Sequence, residues 1–527
     1  MNKELIEIDK LFKSNNYDEV ISKTKKLIKK GQIIAPYYNL LGLSLDKIGK
    51  TYQAEKTFLD AINKNSKEIS FYSNLANILI KQNKLNEAEK YLIKGLEIKA
   101  DDTFSLYEYG RLKRFQKVYL EALNYFEKTY KINPNFPNAL FMIGKTYIDL
   151  YQETNDNKYI ELAKKTLLQC SNLFPENVDA DYILSEVYDY KTEKHHQKVM
   201  LKKIDNINFV NKVQKSVLYF ALAKSFEDQK KFDQSSEFLK IANSELDSTF
   251  KKDLIINYSK KFDNLKFLFD KIINIKNFNE EGIFKEKIIF ILGMPRSGTT
   301  LVHQLLASTK DTEGLGESDI MPSFFDKQIF SKEFFDKIYK NQKLNKSYLC
   351  EISKLLGDKY KNAQSTNKNI IIDKNPSNFF WIGFIKLLFP NAKVVHTKRN
   401  LKDTCLSVYK NMFGSDELNW SYSPSKIINY VKIYLKIINY WNKKYNNFIN
   451  QIDYEKLIKD KNEETKKLFS YCEINWSEEI FDFYKTGKPI RTASLYQVKK
   501  PIYKSSLDNN KNFSDYLHFL NDLDNLK

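Results

Sequence analysis

Three features that often define a protein class are scarce in this chain of 527 residues. Its longest apolar runs, such as IIFIL at 288–292, fall far short of the roughly 20 residues that span a bilayer. Only four cysteines occur, without CxxC spacing, so neither a zinc site nor a disulfide framework is indicated. The N-terminus lacks the apolar segment of a signal peptide. We therefore predict a cytoplasmic protein with reduced thiols and no membrane span.

Histidine is also rare, with five residues in the chain. Two of them, His195 and His196, are adjacent in a lysine-rich stretch that offers no cysteine or carboxylate at metal-ligand spacing. We expect a solvent-facing helix at this pair and no metal in the protein.

Arginine is the scarcest basic residue. It supplies only five of the 85 Lys+Arg, so 85 − 5 = 80 are lysine, although the net charge is +19. That surplus could attract nucleic acid, anionic lipid or phosphorylated small molecules. Arginine-aromatic patches and a nucleic-acid-binding motif are missing, so we expect no nucleic-acid partner. The five are Arg111, Arg114, Arg296, Arg399 and Arg491.

Small residues recur at fixed intervals in the first half of the chain. Four of them are each 34 residues apart: Gly42, Ala76, Gly110 and Gly144. A second series follows 12 residues behind the first, with its last step lengthened by seven at the insertion 152–159: Ala54, Ala88, Ala122 and Ala163. Ala223 and Ser235 repeat the spacing of 12.

This pattern resembles the tetratricopeptide repeat, a pair of antiparallel helices in 34 residues whose close contacts need small side chains. Six or seven units would fill residues 2–250 and stack into an all-α solenoid. The resemblance implies a protein or peptide partner in the groove, or self-association. It places Arg111 and Arg114 in that groove, where they would either bind a carboxylate or phosphate, or form a solvated face.

The second half alternates short apolar runs with helical patterns. KIIFIL at 287–292, NIIID at 369–373 and AKVVHTK at 392–398 read as strands, and each is followed by a segment of helical character. Such alternation predicts an α/β domain with a central parallel sheet. Ligands of these sheets bind at the carboxyl ends of the strands.

The segment GMPRSGTT at 293–300 has the spacing of a P-loop. Its glycines let backbone N–H groups converge on an anion, and Arg296 adds a bidentate fork. Thr299 occupies the position at which nucleoside triphosphatases carry the lysine that binds the β- and γ-phosphates. A single phosphate or a phosphosulfate therefore fits this loop better than ATP.

PRSGTTL is similar to the 5'-phosphosulfate loop of sulfotransferases, and four further segments match that family in the same order. They are DKNPSNF at 373–379, FPNAKVVHTKRNLKDTCLS at 389–407, DYEKL at 453–457 and TASLYQVKKPIYKSS at 492–506. With the repeats, the chain resembles a tetratricopeptide-repeat sulfotransferase related to tyrosylprotein sulfotransferases. We therefore predict a multidomain protein with repeats at 1–250, a helical linker at 251–283 and a sulfotransferase domain at 284–527.

The resemblance implies a donor, 3'-phosphoadenosine 5'-phosphosulfate (PAPS), a hydroxyl acceptor and no metal. Residues implied to bind the donor are Arg296, Ser297, Gly298, Thr299, Thr300, Arg399, Ser407 and Tyr454. Arg399 and Ser407 match the pair that binds the 3'-phosphate. Glu317 matches the general base, and Lys374 and Ser494 match the groups that stabilise the transferring sulfuryl group and the leaving phosphate. Three of the five arginines, including Arg491, fall in or beside these motifs.

Several alternatives stay open. Glu313 or Asp319 could replace Glu317 as the base, whereas we expect structural roles for His303 and His396. Asp319 also stands where tyrosylprotein enzymes carry an arginine that meets the acceptor, which weakens the case for acidic tyrosine peptides.

A second departure lies near the C-terminus. Asn509 and Asn510 occupy a basic-Trp position of the family, so Lys504 or Lys511 would have to supply that cation. A P-loop kinase and a non-catalytic repeat adaptor are the competing functions. The sequence leaves the acceptor open among tyrosine, glycan, lipid and small alcohol.

Overall fold

The computed structural model describes residues 3–31, 34–206, 211–250, 254–273, 284–340, 343–366, 368–414, 416–485, 502 and 507–526. They belong to two compact units, Met1–Val187 and Tyr188–Lys527. In the described ranges no helix has the length and apolar character needed to cross a bilayer.

The first unit consists of helices that pair in chain order. Their bounds are α1 Lys3–Lys13, α2 Tyr17–Lys29, α3 Ala35–Lys47, α4 Thr51–Lys64, α5 Ile69–Lys81, α6 Leu85–Ile98, α7 Thr103–Phe115, α8 Tyr119–Ile132, α9 Pro137–Thr154, α10 Asn157–Leu173 and α11 Val178–Ser185.

The small residues lie where paired helices touch. A Cβ atom on Gly42 would come within 2.3 Å of the Phe58 ring, and one on Gly110 would come within 2.7 Å of the Phe126 ring. The alanines of the second series are fully buried. The insertion near residue 155 lengthens α9 to 18 residues and α10 to 17, compared with 13 and 14 in α7 and α8. The predicted helical repeat is confirmed.

Arg111 and Arg114 are both paired within their own unit. Arg111 donates to Glu108 Oε2 at 2.7 Å and to Asn77 Oδ1 at 2.9 Å, while Arg114 pairs with Asp149. Only 22 % of each arginine side chain is exposed. The solvated-face interpretation therefore does not hold for these largely covered, ion-paired side chains, and binding of an external carboxylate or phosphate stays a prediction.

The second unit begins with helices and continues as an α/β domain. Its helices are α12 His195–Asn206, α13 Lys212–Asp228, α14 Phe232–Asp247, α15 Leu254–Phe267, α16 Thr299–Ala307, α17 Ile320–Phe325, α18 Lys332–Ile338, α19 Lys346–Ala363, α20 Ile382–Leu388, α21 Leu401–Tyr409, α22 Pro424–Lys444, α23 Tyr454–Lys459, α24 Lys461–Cys472 and α25 Phe519–Asp522. A π-helical turn spans Leu268–Ile272, and 3₁₀ segments span Pro376–Trp381, Asp416–Tyr422, Glu478–Lys485, Asn509–Asn512 and Leu523–Asn525.

The strands are β1 Lys287–Gly293, β2 Thr312–Gly314, β3 Tyr339–Lys340, β4 Lys343–Leu344, β5 Ile370–Lys374, β6 Lys393–Lys398 and β7 Ile449–Asp453. Five of them form a parallel sheet in the order β2-β5-β1-β6-β7, and β3 and β4 form a separate antiparallel pair.

Helices cover both faces of the parallel sheet, so its central strand β1 is almost continuously apolar. On one face Ile289 and Ile291 of β1 pack with Leu305 of α16 and Leu468 of α24. On the other, the Phe290 ring lies 5.9 Å from that of Tyr360 in α19. The predicted fold class, helical repeats followed by an α/β domain with a central parallel sheet, is confirmed.

Helices α13 and α14 pack in the second unit, although the repeat spacing extends into them. Ser235 Oγ donates to the Ala223 carbonyl at 2.8 Å, so this predicted pair does lie at a helix contact. The domain limits at 250 and 284 stay a prediction. His196 is buried against Tyr190, with 2.6 Å between Nδ1 and the hydroxyl, which corrects the expected solvent-facing position, while His195 is exposed.

Candidate active site

Each strand of the parallel sheet delivers one predicted site group at its carboxyl end. In sheet order, β2 leads to Glu317, β5 ends at Lys374, β1 leads into the loop 293–298, β6 leads to Arg399 and β7 leads to Tyr454. Groups that are distant in the sequence are thereby brought to one edge, as expected of a parallel sheet.

The loop after β1 places backbone N–H groups at the start of α16. Arg296 adopts φ 70° and Gly298 φ 98°, both in the left-handed region that reverses the chain. A Cβ atom on Gly298 would lie 2.4 Å from the Tyr454 ring, so position 298 requires glycine for both space and conformation. Ser297 is buried and its Oγ lies 2.7 Å from Thr397 Oγ1, which ties the loop to β6.

Arginine side chains link the loop to the segment after β6. Arg296 Nε donates to Ser407 Oγ at 3.0 Å, and Arg399 Nη1 donates to the Arg296 carbonyl at 3.0 Å. The Arg399 guanidinium lies over the Tyr454 ring, 4.9 Å from its centroid. The structure thus brings together four of the eight residues that the resemblance implies for donor binding: Arg296, Arg399, Ser407 and Tyr454.

Lys374 Nζ forms an ion pair with Glu317 Oε1 at the end of β5. The lysine side chain is only 2 % exposed, whereas that of Glu317 is 45 % exposed, so the pair lies at the boundary between core and solvent. Burial lowers the pKa of Lys374, and Glu317 opposes that shift. The neighbouring Asp373 accepts from Tyr360 Oη at 2.5 Å, and burial raises the pKa of Asp373 to about 7.

The other candidate bases differ in position. Glu313, in β2, accepts five hydrogen bonds from the backbone and hydroxyl groups of Ser365 and Thr366, and it does not line the cavity described below. His303 Nε2 accepts from the Gly316 N–H at 3.4 Å, and His396 is buried against Tyr434. Burial lowers the pKa of His396 to about 4. These contacts favour structural roles.

A cavity of about 930 Å³ opens at this edge of the sheet. We define the donor lobe as the lining residues at the P-loop, at Arg399 and in the chain from Tyr454 onward: Pro295, Arg296, Gly298, Thr299, Thr300, Leu301, Arg399, Tyr454, Ile458, Phe483 and Ile502. We define the acceptor lobe as the lining residues of α15, of α17 and the segment after it, and of the segments around 380 and 413–430: Leu254, Asn257, Tyr258, Lys260, Lys261, Pro322, Asp326, Phe330, Phe380, Trp381, Phe413, Glu417, Leu418 and Tyr430. Glu317, Asp319, Asn375, Pro376 and Ser377 also line it.

Helix α15 forms one wall of the acceptor lobe, which the sequence did not indicate. Tyr258 Oη donates to the Glu417 carbonyl at 2.7 Å, and Lys261 pairs with Asp326, so the helix is fastened on two sides. Its opposite face is buried through Phe262. The predicted helical linker 251–283 thus contains a wall of the cavity, and its apolar residues at helical spacing are the sequence signal for this helix.

The remaining predicted residues have different outcomes. Ser494, Arg491 and Lys504 lie outside the described residues. Asn509 Nδ2 donates to Glu227 at 3.2 Å and Asn510 bonds to Asp403, so neither faces the cavity.

Lys511 pairs with Asp508 at 3.4 Å and is 72 % exposed, so it does not line the cavity either. Within the described ranges no cluster of His, Cys, Asp or Glu could hold a metal ion.

Comparisons with known proteins find separate matches for the two parts of the chain. Residues 289–478 match the family model of the sulfotransferase family, and residues 69–102 match a tetratricopeptide-repeat model. An uncharacterised protein of Aquifex aeolicus (strain VF5) is 30 % identical over 353 residues, covering 63 % of this chain and 44 % of that protein. The chain therefore spans less than half of that relative. A Caenorhabditis briggsae protein, provisionally named a protein-tyrosine sulfotransferase, is 23 % identical over 238 residues, covering 42 % of this chain and 80 % of the relative.

Two solved structures illustrate the similarity of each part. The sulfotransferase domain of the Synechococcus PCC 7002 olefin synthase is 16 % identical with a TM-score of 0.31, covering 47 % of this chain and 98 % of that one. The tetratricopeptide-repeat protein YrrB is 18 % identical with a TM-score of 0.27, covering 36 % and 91 %. The chain therefore combines tetratricopeptide-repeat helices with a domain that matches the model of the sulfotransferase family.

Proposed function

We propose that the protein transfers a sulfuryl group from PAPS to a hydroxyl acceptor in the cavity. The order of groups across the sheet supports this most directly. Across the sheet, the base Glu317 is followed by Lys374, which would face the sulfuryl group, and then by the loop, which would hold the 5'-phosphate. Arg399, for the 3'-phosphate, and Tyr454, for the nucleoside, come next.

The donor would bind with its 5'-phosphosulfate on the loop. The N–H groups at the start of α16 and the Arg296 guanidinium suit a phosphate or sulfate. Arg399 and Ser407 would hold the 3'-phosphate, and Tyr454 would pack near the nucleoside. Thr299 stands in place of the lysine that holds the β- and γ-phosphates in nucleoside triphosphatases, which disfavours a P-loop kinase.

The reaction would be an in-line displacement at sulfur. The acceptor oxygen forms a bond to sulfur while the bond from sulfur to the 5'-phosphate oxygen breaks. Glu317 takes the acceptor proton, and 3'-phosphoadenosine 5'-phosphate leaves. Lys374, beside Glu317, would stabilise the charge on the transferring group and the leaving phosphate; Ser494 is proposed for the same task.

The acceptor is proposed to enter through the lobe walled by α15. The repeats favour a protein or peptide acceptor or partner, because such arrays present extended binding surfaces. The four cysteines are thiols, which is compatible with the proposed cytoplasmic location.

The decisive experiment is calorimetry of the full chain with 3'-phosphoadenosine 5'-phosphate and with Mg-ATP, followed by transfer of labelled sulfate into an extract. We expect the first ligand to bind and a labelled product to form. Binding of Mg-ATP alone would favour a kinase. Binding of 3'-phosphoadenosine 5'-phosphate without transfer of labelled sulfate to any acceptor would favour a non-catalytic adaptor.

A further inference from the structure

We propose that the helix pair α13–α14 positions the donor site, with Glu227 and Asn243 as positioning residues for the subsite that takes the 3'-phosphate. The proposal rests on the proposed function, because it concerns a donor that carries this phosphate. It gives the last helices of repeat-like spacing a task distinct from partner binding.

Helix α21 is the element through which this control would act. The helix starts two residues after Arg399 and carries Ser407, which accepts the hydrogen bond from Arg296. Both residues implied for the 3'-phosphate therefore depend on where α21 lies. Small displacements matter at such sites, since about 1 Å of misplacement can cost 10²-fold in rate.

The C-terminal end of α21 is held by α13 and α14. Asn243, on α14, is fully buried, and its Nδ2 donates to the Tyr409 carbonyl at 3.0 Å. Glu227, on α13, forms an ion pair with Lys410, the residue after the helix. The two side chains are only 16 % and 20 % exposed.

The negative charge of Glu227 is stabilised by the groups around it. Burial works against the ionised form of Glu227, but Lys410, Lys224 and Asn509 together outweigh burial, and the pKa of Glu227 is lowered overall. The carboxylate is thus ionised at neutral pH, and replacing it would leave the Lys410 ammonium without its partner in a largely buried site.

The C-terminal segment closes the same cluster. Asn509 Nδ2 donates to Glu227 at 3.2 Å. Asp403, in the first turn of α21, accepts from the Asp508 N–H at 3.0 Å and from Asn510 N and Nδ2 at 2.8 and 2.9 Å. Of the two asparagines that depart from the family pattern, Asn510 therefore holds α21 directly, and Asn509 holds Glu227 of α13.

The test compares two nucleotides that differ by one phosphate. Affinities of the full chain for 3'-phosphoadenosine 5'-phosphate and for adenosine 5'-phosphate are measured by calorimetry. We expect Glu227→Gln and Asn243→Leu to weaken the first at least fivefold and to leave the second within twofold. Glu237→Gln is the matched control, because Glu237 is exposed on α14 and makes the same charge change.

The outcomes distinguish failure of the positioning role from failure of the proposed function. Equal weakening of both nucleotides, or no change in either, would overturn the positioning role. A wild-type chain that binds neither nucleotide would overturn the proposed function itself. If Glu227→Gln does not fold, Glu227→Asp retains the charge with a shorter reach and should weaken the first nucleotide two- to threefold without affecting the second; no selective change would reject the proposal.

Discussion

Lys374 Nζ donates a hydrogen bond to Glu317 Oε1, so the proposed sulfuryl-stabilising cation and the proposed general base are direct partners. The lysine is fixed in the core and the glutamate reaches the cavity. An acceptor hydroxyl placed beside Glu317 would thus be close to the cation that stabilises the transferring group.

Replacing Glu317 by glutamine should therefore abolish most of the transfer. We expect kcat to fall by about 10²–10⁴-fold because the proton acceptor is lost. The affinity for 3'-phosphoadenosine 5'-phosphate should stay within threefold. Glu313→Gln is the control, since its carboxylate bonds to Ser365 and Thr366 outside the cavity. Full activity in Glu317→Gln would assign the base elsewhere.

Donor binding should be sensitive to a single methyl group in the loop. Gly298→Ala introduces a Cβ atom 2.4 Å from the Tyr454 ring at a φ of 98°. We expect at least a tenfold loss of affinity for 3'-phosphoadenosine 5'-phosphate by calorimetry. Gly414→Ala serves as control because its Cβ would meet nothing within 4 Å. Equal affinities in the two variants would contradict the proposed position of the donor.

Filling the acceptor lobe should affect the acceptor but not the donor. Leu254→Trp adds bulk to the α15 wall, whereas Ile256→Trp adds the same ring at a position that is 56 % exposed and does not line the cavity. With an acceptor found by labelled transfer, we expect kcat/KM to drop at least tenfold for Leu254→Trp alone. If both variants behave alike, α15 does not contact the acceptor.

The repeat spacing makes a prediction about stability. Gly110→Ala would press a methyl group to 2.7 Å from the Phe126 ring, at a cost of about 1–3 kcal/mol. Gly95→Ala meets only ordinary contacts at 3.4 Å and should gain up to about 1 kcal/mol of helix propensity.

The four tryptophans make this readout specific. All four lie beyond residue 380, so their fluorescence reports on the second unit, whereas circular dichroism at 222 nm reports on all helices. Urea unfolding of Gly110→Ala should shift the dichroism transition and leave the fluorescence transition in place. Identical stability of the Gly110→Ala and Gly95→Ala variants would contradict the helix contact.

The buried carboxyl beside Lys374 should give the second unit a pH-dependent stability. Burial raises the pKa of Asp373 to about 7, against about 3.9 in an unfolded chain. The folded state therefore holds a proton that the unfolded state releases. This contribution is lost as the pH rises from about 4 to about 7, by up to about 1.4 kcal/mol per pH unit.

Asp373→Asn cannot titrate and tests this directly. Its free energy of unfolding, followed by tryptophan fluorescence in urea, should increase relative to wild type between about pH 5 and about pH 7. His396, with its pKa lowered to about 4, gives the opposite slope, but it is present in both proteins and cancels in the difference. A difference independent of pH would contradict the raised pKa.

The sequence predicted the elements whose signals are local. The 34-residue interval predicted the helix contacts at Gly42 and Gly110. The ends of the predicted strands indicated which residues meet at the edge of the sheet. Long-range contacts left no such signal: nothing in the spacing shows that α13 holds α21 through Glu227 and Lys410, 183 residues apart. The position of α15 beside the cavity was missed for the same reason, because it depends on contacts with segments that are distant in the sequence.

The strand order also sets the spacing between the groups that are proposed to contact the donor. Neighbouring parallel strands lie about 4.8 Å apart, so the five carboxyl ends span about 19 Å. The order of contacts is fixed by the hydrogen-bonded register, which no single side chain can change. The acceptor lobe is built instead from helices and connecting segments outside the sheet. Under the proposed function, acceptor preference can therefore diverge through substitutions in α15 and the segment 413–430 while the proposed donor contacts stay constant.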